Sequence, residues 1–178
     1  IEEALLRISI PYRIYGGLRF YERLEIKNAI AYLKIIFNNN DNPSFERSIS
    51  NPTRGVGEKT LGKIRQTAQK YNISYIKASA KLIDEGSISG RGGSGLRDYL
   101  EFVAGCKSFI EDNSLSDLME LIIKESGLYS YHAKEAGEKG KTRTENLEEL
   151  ITATKNFEQS VKEDKTNTEI AENYLDVI

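Results

Sequence analysis

The chain has 178 residues, enough for one domain with a substantial core, and balances 25 Lys and Arg against 27 Asp and Glu. Its net charge of −2 argues against a general polyanion binder, and its single Cys and single His exclude an intrachain disulfide and a Cys/His zinc cluster. The lone cysteine points to a reducing compartment, and no apolar run reaches membrane-spanning length and no signal-peptide pattern opens the chain. Residues 156–178 hold six of the acids and only two lysines. The remainder is therefore weakly basic and leaves room for a local cationic patch.

Leu, Ile, Ala, Glu and Lys dominate, Trp is absent and Pro is scarce, a composition that predicts helix. Residues 1–9 place Ala4, Leu5 and Ile8 on one helical face, and Pro11 stops it. Residues 11–15 have the β-branched and aromatic character of a strand, ended by Gly16 and Gly17, which would act as a hinge. A single strand has nothing here to pair with, and the chain opens at Ile1 in mid-element, so it reads as a piece of a longer protein. Residues 18–37 form a helix with an Ile26, Ile30, Leu33, Phe37 stripe; Arg19, Glu22, Arg23, Glu25 and Lys27 make its solvent face. The run of Asn and Asp at 38–43 breaks it.

Residues 44–50 are a short amphipathic run ended by Pro52, and Leu61, Ile64, Ala68 and Tyr71 mark the next buried helix face. Between them Gly55, Val56 and Gly57 form a tight turn, with Val56 tucked beneath it and backbone N–H groups left bare at a helix start. Arg54, Lys59, Lys63, Arg65 and Lys70 surround the turn with only Glu58 opposing them. A duplex phosphate backbone fits both features, which makes Thr53, Arg54, Gly55, Val56, Gly57, Lys59, Thr60 and Lys63 candidate contacts. Taken alone, the same stretch also reads as an αα-turn with solvated lysines.

Residues 75–84 predict another helix, and the glycine-rich 85–95 a flexible connector before a long helix carrying Leu96, Tyr99, Leu100, Val103, Cys106 and Ile110. Arg91 in that connector is a second phosphate candidate, although no Gly-Lys-Ser/Thr follows and no strand precedes it. Cys106 lies on the apolar stripe and reads as core. Ser114 can cap a helix that Gly127 stops, and the polar 129–141, with His132 on the surface, reads as a mobile loop. Thr142 and Glu145 have capping-box spacing, which would put Thr142 and Arg143 at a helix N-terminus as a third candidate phosphate site. Residues 158–167 read as acidic linker, and Thr166 with Glu169 as a second capping box.

Three blocks, residues 11–33, 45–61 and 140–154, resemble the UvrD/Rep/PcrA family of bacterial superfamily-one DNA helicases, and the similarity extends in order over residues 1–157. The resemblance implies an all-α fold: a compact helical accessory subdomain, termed 2B, with helix-hairpin-helix-like motifs over 18–157. It also implies a strand and helix remnant of the second motor domain at 1–17, and a return to that domain over 158–178. In such a family the whole enzyme is an ATP-dependent 3′ to 5′ helicase of DNA repair, using ATP and Mg2+ in the bacterial cytoplasm at the nucleoid. Its implied partners are duplex DNA at a single-strand/double-strand junction, its own motor domains and repair proteins. The hairpin matching Gly55-Val56-Gly57 would contact the duplex, where the family usually has Ile in place of Val56. Nothing in the sequence matches a Walker A lysine, an Asp-Glu pair or an arginine finger, so this piece is expected to bind no cofactor and hydrolyse no ATP. The rival reading is a helical protein-interaction module that does not touch DNA. An independent enzyme is weaker still, since one His and one Cys assemble no nucleophile–base pair.

Overall fold

The computed structural model describes residues 18–161 and 164–178. The helix expected over 1–9, the strand over 11–15 and the Gly16–Gly17 hinge lie outside the described residues. Among those described, every regular element is a helix: α1 (Leu18–Tyr21), α2 (Leu24–Phe37), α3 (Asn42–Ser50), α4 (Glu58–Tyr71) and α5 (Tyr75–Asp84), followed by α6 (Gly90–Asp112), α7 (Leu115–Glu125), α8 (Leu128–Ala133), α9 (Glu138–Ser160) and α10 (Asn167–Val177). The all-α expectation therefore holds. The chain divides into two compact units, one of Ala31–Lys107 and one of the described residues through Ile30 with Ser108–Ile178.

In the unit ending at Ile178, α9 packs along α7, α8 and α10. Leu118, Met119, Ile122 and Ile123 of α7 and Leu147 and Leu150 of α9 are fully buried, as the three- and four-residue spacing requires. The start of α7 is a capping box: Ser114 Oγ accepts the Asp117 N–H at 3.1 Å and Asp117 Oδ2 accepts the Ser114 N–H at 3.3 Å. Thr166 and Glu169 repeat the device at α10. Gly127, at φ +88°, reverses the chain after α7.

Several expectations fail in instructive ways. The helix over 18–37 is interrupted after Tyr21, and the 38–43 break is shortened because Asp41 accepts the Ser44 N–H and lets Pro43 start α3. The 129–141 stretch is no loop: Leu128 and His132 are buried on α8, and a side chain at Gly140 would meet the Glu135 and His132 carbonyls at 2.4 and 2.8 Å. His132, expected at the surface, is 1% exposed, with Nδ1 3.5 Å from Glu135 Oε2 and no hydrogen bond to either ring nitrogen. The Thr142 box does not form, because Gly137, at φ +73°, turns the chain and α9 begins at Glu138. Finally, α9 continues to Ser160, into the segment read as linker.

The second unit has an aromatic centre. Tyr32, Phe45 and Tyr99 are each 0% exposed, with Phe45 edge-on to Tyr99 at 5.4 Å. Leu61 and Ile64 of α4 and Ala78 and Leu82 of α5 bury the facing stripes of those two helices. Cys106 is buried as expected, and burial pushes its thiol up to about 12, which keeps it protonated and inert.

Replacing Ser114 by Ala should remove one arm of the α7 box and cost about 1 kcal/mol. In a protein of this length that corresponds to a fall in Tm of roughly 2–4 °C. A thermal melt of the variant unchanged from the parent would show that the box contributes no stability.

Candidate nucleic-acid interface

The Gly-x-Gly turn stands between α3 and α4, with Gly55 at φ +75°, where only glycine is at ease. Gly57 is extended at φ −97° and is the N-cap of α4, with no side-chain cap. The first amides of α4 thus have no side-chain acceptor, and Gly57 has open space where a Cβ would stand. Val56 is 8% exposed beneath the turn, in the place the sequence assigned to it. Thr53, Gly55, Gly57 and Lys59 are exposed and Thr60 is half-buried.

The glycine-rich 85–95 stretch is the principal surprise. From Gly90 onward it is helix, the opening turns of α6, although each interior glycine disfavours helix by about 1 kcal/mol relative to Ala. The compensating contact is with the hairpin. A Cβ at Gly95 would lie 1.9 Å from the Arg54 carbonyl oxygen, and one at Gly92 would lie 3.2 Å from that of Gly55. Helix α6 therefore offers bare backbone to the hairpin, and Arg91, exposed, lies with its side chain against Gly55. Two of the three predicted sites, 36 residues apart in sequence, are one site in space.

Two polar ties fix the arms. Arg65 of α4 forks onto Glu46 of α3, Nε to Oε1 at 2.7 Å and Nη2 to Oε2 at 2.8 Å, and also meets Glu58. Hydrogen bonding from Arg65, ahead of its charge, holds the Glu46 carboxyl below its ordinary value. Lys63 donates to the Ser87 carbonyl at 3.0 Å, tying α4 to the turn before α6. Arg54 faces inward: Nη2 donates to the Tyr32 hydroxyl at 2.8 Å, and the guanidinium stands 5.8 Å from the centroids of both Tyr32 and Tyr99. Burial raises both phenol pKa values, so Tyr32 and Tyr99 stay neutral.

Thr142 and Arg143 belong to the other unit. Thr142 is exposed inside α9, while the Arg143 guanidinium bonds Glu135 at 2.6 and 2.9 Å and stands 3.7 Å from Glu25. Glu25 is buried and accepts from Asn146 at 2.7 Å. Arg143 is thus neutralised by two acids rather than presented at a helix end. Sequence reasoning missed Tyr32, Glu46, Gly92, Gly95 and Tyr99 as parts of the hairpin site. The three-residue spacing of Gly92 and Gly95, one face of a helix, is the signal that could have revealed the contact. Among the described residues, no group of three or more His, Cys, Asp or Glu is arranged to hold a metal ion.

Residues 1–89 match the family described as UvrD-like helicase C-terminal domain. The chain belongs to this UvrD-like family. It is 46% identical over 157 residues to DNA helicase II of Escherichia coli K12, covering 88% of this chain and 22% of that protein. It is 35% identical over 158 residues to the ATP-dependent DNA helicase PcrA of Leuconostoc citreum, covering 89% of this chain and 21% of that protein. A DNA helicase II of Rickettsia typhi is 36% identical over 157 residues, 88% of this chain and 24% of that protein. The UvrD-like chain thus spans about a fifth of the length of the relatives it matches.

Replacing Gly95 by Leu should force the hairpin off α6 and destabilise the chain by about 1–3 kcal/mol, read by urea denaturation. Full retention of stability would contradict the close approach. The Glu46–Arg65 tie gives a pH dependence. A carboxyl held low in the folded state contributes stability above its unfolded value of about 4.3 and loses it as pH falls through the folded value. Glu46→Gln should lower the urea midpoint at pH 7 and make little difference near pH 3; a constant offset at both would exclude the linkage.

Proposed function

We propose that this chain is the duplex-binding accessory part of a UvrD-like, ATP-dependent 3′ to 5′ DNA helicase acting in DNA repair in the bacterial cytoplasm. Its hairpin holds the phosphate backbone of duplex DNA at the junction with single strands. The observation that carries the reading is the meeting, on one exposed turn, of an uncapped helix start, an open Gly57 and the cations Lys59 and Arg91. Unsatisfied N–H groups and the positive end of the helix dipole attract phosphate, and flexible cations add strength without reading sequence. A turn without side chains lets the DNA backbone come close. The names of the relatives, DNA helicase II and ATP-dependent DNA helicase PcrA, support DNA as the ligand class.

The contacts in this reading are Thr53, Gly55, Gly57, Lys59, Thr60 and Arg91, with Lys63 and Val56 holding the turn. ATP and Mg2+ would act in the motor domains of the whole helicase. Among the described residues no three His, Cys, Asp or Glu are grouped as a magnesium site would require. The chain's own work is to grip and orient the duplex while the motor pulls.

The glycines separate grip from fold. Gly57→Ala meets open space at an ordinary φ, so it should leave Tm unchanged and weaken duplex binding, whereas Gly55→Ala is strained and pressed against Arg91. Lys59→Ala and Arg91→Ala should each reduce the slope of log affinity against log salt by about one unit and act alike on all sequences. Titration of a labelled duplex at several salt concentrations measures both. Binding by the parent chain unaffected in all three folded variants, Gly57→Ala included, would favour a protein-interaction surface instead.

A further inference from the structure

We propose that Arg54, the most obvious phosphate ligand by sequence, is a positioning residue that holds the hairpin from within and makes no phosphate contact. This rests on the reading of the hairpin as the duplex grip and assigns its side chains two different tasks. The guanidinium is committed on three sides. Its Nη2 donates to the Tyr32 hydroxyl at 2.8 Å, and its plane lies near the faces of Tyr32 and Tyr99. The Tyr32 hydroxyl in turn donates to the Asn51 carbonyl at 2.9 Å, at the point where α3 gives way to the turn. The Tyr99 hydroxyl is 2.6 Å from Ser48 Oγ, which donates to the Ser44 carbonyl at 2.7 Å. Tyr32 thus joins Arg54 to the end of α3 by hydrogen bonds, while Tyr99, anchored to α3 through Ser48, meets Arg54 through its ring; both tyrosines are fully buried.

The other half of the device is the Arg54 carbonyl, which lies directly over Gly95. Side chain and main chain of the same residue are therefore both held, the first by the two tyrosines and the second by the bare face of α6. Swinging the guanidinium out to a phosphate would give up the hydrogen bond and both ring contacts. Lys59 and Arg91, exposed beside the turn, reach a phosphate without that cost. Arg rather than Lys is required because a planar, weakly hydrated cation can stack on two rings and still donate a directed hydrogen bond.

The test compares Arg54→Lys and Arg54→Ala with Lys59→Ala in the 178-residue chain. It records the amide NMR signals of Gly55 and Gly57 without DNA and the binding of a labelled duplex across salt concentrations. Both Arg54 variants should shift the two glycine signals in the absence of DNA and bind about tenfold more weakly at fixed salt, with the salt slope unchanged. Lys should not rescue, although it keeps the charge. Lys59→Ala should leave the glycine signals in place and lower the slope by about one unit. Glycine signals unmoved by Arg54→Ala, or wild-type binding by Arg54→Lys, would overturn the proposal. Should Arg54→Ala fail to fold by circular dichroism, Tyr32→Phe removes the hydroxyl that accepts from Arg54 and donates to Asn51, and must shift the same signals. Should the parent chain show no salt-dependent duplex binding, the grip reading falls, and the glycine shifts alone decide the positioning role.

Discussion

The Arg54 carbonyl rests where a side chain at Gly95 would have to be, 1.9 Å from the position of its Cβ. That approach is closer than any side chain permits, so the opening of α6 must be glycine-rich if the hairpin is to lie on it. The cost is a helix start built from the residues that favour helix least. What is gained is a flat backbone surface that fixes the turn, brings Arg91 beside Gly55 and leaves the opposite side of the turn exposed. The position of the uncapped start of α4 follows from that seat.

The basic flank divides into cations that build and cations that remain outward. Arg54 lies on tyrosines, Arg65 forks onto Glu46, and Lys63 reaches the Ser87 carbonyl. Lys59 and Arg91 stay exposed at the turn. Counting charges along the sequence treats all five alike. Their energetic roles differ, because a guanidinium that already satisfies buried or half-buried partners gives them up to meet a phosphate, whereas an exposed ammonium exchanges only water and counterions.

The unit containing α7 to α10 uses charge differently. Arg143 is enclosed by Glu135 and Glu25, and Glu25 also accepts from Asn146, whose Oδ1 accepts from Arg23. Glu25, 4% exposed, accepts from Asn146 and faces Arg143, so its burial leaves no uncompensated charge. In this arrangement Arg143 is already engaged by two carboxylates.

The sequence by itself determined the helical class, the cap at Ser114, the capping box at Thr166, the limits of α5, the buried stripes and the turn around Val56. Those features depend on neighbours within a few residues, on periodicity, capping geometry and glycine in a turn, and local chemistry decides them. The resemblance of three blocks to a helicase family was equally legible, because a string of residues in order survives without coordinates. What only the tertiary structure decided is where the glycines at 90–95 go, that His132 is buried, that Thr142 lies inside a helix, and which arginines face inward. Each of these is a contest between a weak local preference and a contact far away in sequence. The propensity of glycine for coil amounts to about 1 kcal/mol per residue, and a hairpin seated on bare backbone outweighs it.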